Sequence, residues 1–293
     1  MTTLPSGLLA DCAGDMNSKN TPSALLQRPT RRTAGLVLAA TTAALALTAC
    51  QASGDGSSPT ADRNTASSAD RQTPDGQKNA TKPHRMLWMG DSIGEVQAPP
   101  LGAAMKAGHV AFKSIAAAGG GGVVGEISQP TWEQLPKELT SFKPDVVAYQ
   151  ITTYDWGTPG EQRAAYERLA KTVNDAGAEL LIVSAPPFKV DDFYRPHEAA
   201  IKTAPKSAKE VADKHPNTVR FLDASALWGT DSTAAKAQRG KDGIHSCQQG
   251  SAAFAAWFGE QLHKQYGFTP AAVDQWATGS WTSEKVYAPF GCK

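Results

Sequence analysis

Cysteine is scarce in this chain of 293 residues, which contains four. No two cysteines have the close spacing of a structural zinc site, and no two histidines occur as His-x-x-x-His, so we expect no metal site. An excess of charge of one sign is also lacking: 29 lysines and arginines face 28 aspartates and glutamates, which leaves a net charge of +1. Without a basic stripe, such a chain has no electrostatic reason to bind nucleic acid.

Large apolar residues are absent from one whole segment. Residues 51–85 contain no valine, isoleucine, leucine, methionine or aromatic residue. Such a stretch buries too little apolar surface to offset the entropy of ordering, so we predict that residues 50–85 form a disordered tether. The composition changes at Met86, and we place the start of the folded domain, residues 86–293, at this point.

The N-terminal segment differs in composition from both the tether and the folded domain. Arg31 and Arg32 precede an uncharged apolar run that ends in Leu-Thr-Ala-Cys at Cys50. The run has about the length of a signal-peptide core, and its ending resembles the lipobox of bacterial lipoproteins. This resemblance implies that residues 1–49 are a signal peptide, and that a lipid on Cys50 anchors an extracytoplasmic protein to the membrane. A plain secretory signal and a short uncleaved membrane helix are the alternatives.

Export would leave two cysteines in the folded domain, Cys247 and Cys292. In an oxidising compartment they predict a disulfide that ties the C-terminal tail, residues 267–293, to the loop around Cys247. The loop-entropy model gives such a bridge about 4 kcal/mol. Two free buried thiols are the alternative. We expect the tail to be ordered coil packed on the domain, with a carbohydrate-facing lip as a second possibility.

Strand and helix patterns alternate from Met86 onward. Short apolar runs bounded by Gly, Pro, Asp or Ser predict strands in MLWMG, HVAFKSIAAAG, DVVAYQITT, AELLIVSAPP and VRFLDAS. Helical patterns lie between and after them, in VQAPPLGAAMKAG, TPGEQRAAYERLAKTVNDAG, PHEAAIKTAPKSAKEVADKH and QQGSAAFAAWFGEQLHKQYG. Pro205 should kink or interrupt the third helix. The alternation predicts an α/β domain whose parallel sheet is covered on both faces.

Two short motifs carry chemistry. Ser92 follows the first predicted strand, and in a parallel sheet ligands bind at the carboxyl ends of the strands. Asp242 and His245 are three residues apart, just before the last predicted helix. A carboxylate that holds one imidazole nitrogen leaves the other free to activate a serine. Taken singly, Ser92 is a helix cap and Asp242 a turn former; together with His245 they predict a nucleophilic site.

The motifs Gly-Asp-Ser at Ser92 and Asp-Gly-Ile-His at His245 resemble those of the SGNH, or GDSL-type, hydrolases. The similarity runs from Met86 to about Tyr266. It implies a three-layer α/β/α sandwich with a five-stranded parallel sheet, and a reaction that needs no cofactor. It also implies that Ser92 is the nucleophile, His245 the general base and Asp242 the residue that orients the imidazole.

Two further blocks of that family supply oxyanion donors. The glycine-rich stretch after the second strand offers Gly120 or Gly121, whose N–H groups can approach an oxyanion without hindrance from a Cβ. The family's Gly-x-Asn-Asp block is altered here, because Tyr154 stands at the asparagine position. Asp155 follows at the aspartate position, and the resemblance implies that these two residues contact the oxyanion or the substrate. The Tyr154 hydroxyl, a threonine hydroxyl or the Gln150 amide are the candidate replacements, or the hole has two donors only.

These residues favour a monomeric, exported serine esterase that hydrolyses acyl esters, with O-acetyl groups as the expected substrate. The substrate would be a small-molecule or glycan ester. Residues 130–157 also resemble SGNH domains attached to cell-surface acyltransferases, so an O-acyltransferase acting on surface glycans with the same three residues is the first alternative. A non-catalytic surface binding protein on the same scaffold is the second, and it rests on Tyr154 in place of asparagine.

Overall fold

The computed structural model describes residues 83–292. The expected signal peptide, the lipidation of Cys50 and nearly all of the expected tether lie outside these residues. Within the described range, no helix has the length and apolar character that crossing a membrane requires. Residues just before Met86 already contact the domain, because the N–H groups of His84 and Arg85 both donate to the carboxylate of Asp145, at 2.8 and 2.9 Å.

A five-stranded sheet forms the middle layer, and every neighbouring pair of its strands is parallel. Its strands are β1 (Arg85–Met89), β2 (Ala111–Ser114), β3 (Val146–Gln150), β4 (Glu179–Val183) and β5 (Val219–Leu222). The spatial order is β2-β1-β3-β4-β5, so β1 and β3 lie side by side at the centre. All five residues of β3 are buried, which explains its continuous apolar and β-branched sequence.

Helices cover both faces of the sheet. They are α1 (Ser92–Ala107), α2 (Gln129–Phe142), α3 (Pro159–Asp175), α4 (Glu198–Lys214), α5 (Ser225–Trp228) and α6 (Gln248–Tyr266). One core contains apolar side chains of α1, α5 and α6 together with one face of the sheet. A second core contains those of α2, α3 and α4 with the opposite face. The predicted α/β class and three-layer arrangement are therefore confirmed.

Three of the described helices contain prolines beyond their first turn. Helix α4 runs through Pro205 without interruption, and α2 contains Pro136 in a region where the sequence predicted no helix. Helix α1 contains Pro99 and Pro100. A proline has no N–H and leaves the carbonyl four residues earlier without its helical donor. For Pro100 this carbonyl belongs to Val96, and the hydroxyl of Tyr287 donates to it at 2.8 Å. A residue of the C-terminal tail thus supplies the hydrogen bond that the proline cannot make.

The tail after α6 is ordered through residue 292 and packs on the domain, as predicted. Trp281 and Tyr287 are buried in a small cluster with Val96 of α1. The predicted disulfide is present and joins Cys247 to Cys292. It fixes the end of the tail beside the loop that precedes α6.

Candidate active site

Ser92 is the first residue of α1, directly after the turn that ends β1. Asp91 is the N-cap of this helix, and its side chain accepts a hydrogen bond from the N–H of Ile93 at 2.9 Å. The first N–H groups of a helix have no acceptor within the helix. The N–H of Ser92 is one of these groups and can therefore donate to a bound anion. Ser92 itself is only half-buried, so its hydroxyl is within reach of a bound molecule.

Asp91 also ties the start of α1 to the loop after β3. Its second carboxylate oxygen accepts from the N–H and from the hydroxyl of Thr153, both at 2.7 Å. Burial raises the pKa of the Asp91 carboxyl above its ordinary value, although the hydrogen bonds from Thr153 and Ile93 oppose that shift. Asp91 lies within the Gly-Asp-Ser motif, but no role was predicted for it. The signal was present, since an aspartate one residue before a helix is a favoured N-cap.

The three motif residues meet at one point. The hydroxyl oxygen of Ser92 lies 2.8 Å from Nε2 of His245, and Nδ1 of His245 lies 2.6 Å from Oδ2 of Asp242. An ionised Asp242 can only accept, so the proton between them belongs to Nδ1. Nε2 is then an acceptor facing the hydroxyl of Ser92, which lies 153 positions away in the chain.

The loop around Asp242 is built to hold this arrangement. The other carboxylate oxygen of Asp242 accepts from the N–H groups of Ile244 and His245, at 2.9 and 3.2 Å. Burial works against ionisation here, but the hydrogen bonds from the imidazole and from these two N–H groups outweigh it and lower the pKa of Asp242. Gly243 has a φ of 72°, which glycine adopts without strain and which closes the turn.

The glycine-rich loop after β2 lies against the residues that precede Ser92. Gly121 has a φ of 80°, and a Cβ on it would overlap the carbonyl of Gly90. Only glycine fits at this contact. Gly120 differs, because its N–H donates to the carbonyl of Ala117 at 3.2 Å and a Cβ on it would meet nothing within 4 Å. Gly121 therefore lies directly against the turn that precedes Ser92, whereas the N–H of Gly120 is used within its own turn. An oxyanion role for Gly121 or Gly120 stays a prediction.

Asp155, expected to face the substrate, is fully buried instead. Its carboxylate accepts from the hydroxyls of Tyr149 and Tyr166 at 2.6 and 3.0 Å, and from the N–H groups of Val123 and Thr152 at 3.1 and 3.3 Å. Burial raises its pKa in spite of these bonds. Asp155 thus lies beneath the site and joins the loops after β2 and β3.

Contacts within the same loops already engage most of the candidates for a third oxyanion donor. The Gln150 amide is buried and donates to the side chain of Gln97 at 2.8 Å. The hydroxyl of Thr153 is held by Asp91, and that of Thr152 accepts from the N–H of Tyr154 and is buried. The hydroxyl of Tyr154, which is half-buried, is the candidate left from the predicted set.

Aromatic side chains line one side of the site. We define this aromatic wall as Tyr154, Trp156, Phe188, Phe193 and Tyr194, whose rings contact one another. The wall packs on Ile93 and Ile244, which are the chain neighbours of Ser92 and His245. Phe193 is 59% exposed, which is unusual for phenylalanine and leaves an apolar ring open beside the site.

A groove of about 920 Å³ runs along the other side of α1, between this helix and the tail. It includes Glu95, one helical turn after Ser92, and Ala116 near the end of β2. Ser92 and His245 are not part of its lining, so this groove is not the place where the hydroxyl opens. Among residues 83–292, no group of three or more His, Cys, Asp or Glu side chains is arranged to hold a metal ion.

No family model matches the sequence, and no curated protein matches it. Solved structures do resemble it. One is 16% identical, with a TM-score of 0.50 over 64% of this chain and 99% of its own. An α/β hydrolase enzyme from the metagenome of Lake Arreo, Spain, is 17% identical, with a TM-score of 0.48 over 62% of this chain and 96% of its own. The lipase/acylhydrolase from Enterococcus faecalis is 21% identical, with a TM-score of 0.47 over 63% and 96%.

At these identities the likeness concerns the fold alone. The order of the strands and the contacts of Ser92 are observed in this chain independently of any neighbour. The chain therefore has the parallel α/β/α fold, and the meeting of Ser92, His245 and Asp242, that its resemblance to the SGNH hydrolases implied.

Proposed function

We propose that this chain is a serine esterase of the SGNH type. The observation that carries the proposal is the unbroken hydrogen-bonded series from the Ser92 hydroxyl through His245 to Asp242. Ser92 attacks the carbonyl carbon of an ester while Nε2 of His245 takes the hydroxyl proton. The imidazolium then gives this proton to the departing alcohol, and an acyl group stays on Ser92.

Water completes the reaction by the same steps. His245 removes a proton from a water molecule that attacks the acyl carbon, and Ser92 leaves with that proton. Asp242 stays ionised throughout and stabilises the imidazolium. The oxyanion of each tetrahedral intermediate is proposed to accept from the N–H groups of Ser92 and Gly121, with the hydroxyl of Tyr154 as a third donor.

The proposed substrate is an O-acetyl ester of a carbohydrate. A small acyl group is supported by the burial of Ile93 and Ile244 against Phe188 and Tyr194, because this packing places a filled surface beside the serine. A sugar is supported by the open ring of Phe193, since aromatic faces pack well against apolar faces of pyranose rings. The half-buried serine also suits an ester carried on a bulky alcohol.

We also propose that the protein is exported and held at a membrane by a lipid on Cys50. The disulfide between Cys247 and Cys292 supports export, because such bonds persist in oxidising compartments. Labelled fatty acid should enter the wild-type protein in cells but not a Cys50→Ala variant. Equal labelling of both would contradict the anchor.

A panel of esters tests the activity. The mature protein should hydrolyse acetyl esters of p-nitrophenol and acetylated oligosaccharides faster than long-chain esters, and Ser92→Ala and His245→Ala should abolish hydrolysis. Adding unacetylated oligosaccharide separates the alternatives, since an acyltransferase moves the acyl group to this acceptor while an esterase releases acetate. Hydrolysis that survives in Ser92→Ala, or binding of glycans with no turnover by wild type, would contradict the proposal.

A further inference from the structure

The catalytic imidazole has an aromatic ring of the tail on one of its faces. The ring of Phe290 lies 4.0 Å from that of His245, centroid to centroid, with an angle of 19° between their planes. Phe290 lies outside the segment that carried the family resemblance. The predicted disulfide brought the end of the tail to the loop of His245, but no motif marked Phe290. Only 12% of the His245 side chain is exposed to solvent. A stacked ring on one face restricts the rotation of the imidazole about its χ angles.

Three contacts fix Phe290 where it stands. Its carbonyl accepts from the N–H of Lys241 at 2.9 Å, next to Asp242 in the chain. Its backbone lies so close to Gly240 that a Cβ there would stand 2.6 Å from the Phe290 oxygen. Two residues further on, Cys292 is bonded to Cys247, which is two residues after His245. The tail and the loop of His245 are therefore joined on both sides of the stacked rings.

The tail is also attached to the helix of Ser92. The hydroxyl of Tyr287 donates to the carbonyl of Val96, the one left open by Pro100. A single short segment thus contacts both elements whose side chains must meet, the start of α1 and the loop of His245. This arrangement resists a shift of the start of α1 relative to the loop of His245.

We infer that Phe290 is a positioning residue for His245, and that the disulfide between Cys247 and Cys292 holds it in that role. The inference rests on the proposed esterase function. Asp242 fixes one edge of the imidazole through Nδ1, and Phe290 fixes its face, so that Nε2 stays in line with the Ser92 hydroxyl. When His245 takes the proton of Ser92, the aromatic face also favours the positive charge that forms.

Kinetics of Phe290 variants test the positioning. Phe290→Ala should lower kcat about tenfold with little change in KM, the size expected for one lost stacked contact to a cation. Phe290→Tyr keeps the ring and should keep kcat within about twofold, a small fraction of the tenfold step. Equal losses in both variants, or a loss confined to KM, would overturn the inference.

The role of the disulfide is tested by combining variants. Cys247→Ala with Cys292→Ala should lower kcat by a factor similar to that of Phe290→Ala. Adding Phe290→Ala to that pair should cause little further loss, because both changes release the same contact. Full additivity would mean that the bridge does not act through Phe290. Reduction of the wild-type protein with dithiothreitol should reproduce the effect of the two alanines.

A spectroscopic test does not depend on turnover. A short hydrogen bond between Nδ1 and a carboxylate gives a downfield proton resonance, which should be present in wild type and absent in Asp242→Ala. Phe290→Ala should broaden it. Tyr287→Phe removes the hydrogen bond to Val96 of α1 but keeps the contacts of Phe290 with the loop of His245, so it should leave the resonance sharp. A sharp resonance in Phe290→Ala would overturn the positioning role. This outcome is separate from failure of the esterase proposal, which the ester panel measures.

Discussion

Thr153 provides a direct test of the link between the fold and the start of α1. Its hydroxyl donates to the buried Asp91 carboxylate at 2.7 Å, and its N–H donates to the same oxygen at the same distance. Thr153→Val removes the hydroxyl and keeps both the backbone bond and the shape of the side chain. Thr153→Ser is the matched control, because it keeps the hydroxyl and removes a methyl group.

The expected cost follows from these contacts. A hydrogen bond to a charged group contributes about 1.5–3 kcal/mol, and here no water can replace the lost donor because both residues are buried. We expect Thr153→Val to be less stable than wild type by about 2 kcal/mol. For a domain of this size that corresponds to a thermal midpoint lower by about 4–8 °C.

The effect should also depend on pH. The pKa of Asp91 is raised in the folded state, so its contribution to stability is fully present below the pKa of the unfolded chain and is lost as the pH rises through the folded value. Removing a donor raises this pKa further. The deficit of Thr153→Val should therefore be largest at neutral pH and shrink as the pH falls through the raised folded pKa of Asp91, where the carboxyl takes up its proton.

Circular dichroism melts of the three proteins at several pH values measure both effects. If Thr153→Val melts at the temperature of Thr153→Ser at pH 7, the Asp91 contact is not a support of the site. A deficit that grows on acidification would show that the sign of the argument is wrong.

Three further predictions concern the site itself. Asp242→Asn should lower kcat by about 10³–10⁴ in an ester assay, because the imidazole is no longer held with its proton on Nδ1; equal activity would exclude an orienting role. The difference in stability between this variant and wild type should disappear as the pH falls through the lowered pKa of Asp242. Gly121→Ala keeps the backbone N–H, but its Cβ would overlap the Gly90 carbonyl and displace that N–H from the oxyanion, so kcat should fall about 10²-fold. Gly120→Ala, with open space around it, should match wild type; the reverse order would assign the donor to the other glycine. Replacing Cys247 and Cys292 by alanine should destabilise the fold by about 4 kcal/mol for a separation of 45 residues, and a calorimetric midpoint unchanged from wild type would contradict this.

The fold was predictable because its signals are local. Buried parallel strands read as continuous apolar runs, and β3 is buried at every position. The start of α3 was predictable for the same reason, since Thr158 and Glu161 form a reciprocal cap. The roles of Ser92, Asp242 and His245 could be proposed because short motifs mark them, one at a strand end and one in a turn.

What the sequence did not show depends on contacts between distant residues. Helix α1 tolerates Pro100 because Tyr287, far along the chain, donates to Val96. Asp155 was predicted to contact the substrate because it stands at the aspartate position of the Gly-x-Asn-Asp block. Nothing local reveals the two tyrosines whose hydroxyls donate to its carboxylate. The stacking of Phe290 on His245 follows from the path of the tail, which has no periodic pattern.

The central claim is that Ser92 is a nucleophile activated by His245. A fluorophosphonate reacts with such a serine and stays bound to it, which intact-protein mass spectrometry detects. The wild-type protein should gain one equivalent of the probe at Ser92, and Ser92→Ala and His245→Ala should gain none under the same conditions. A wild-type protein that stays unlabelled, or a Ser92→Ala variant labelled as fast as wild type, would contradict the account.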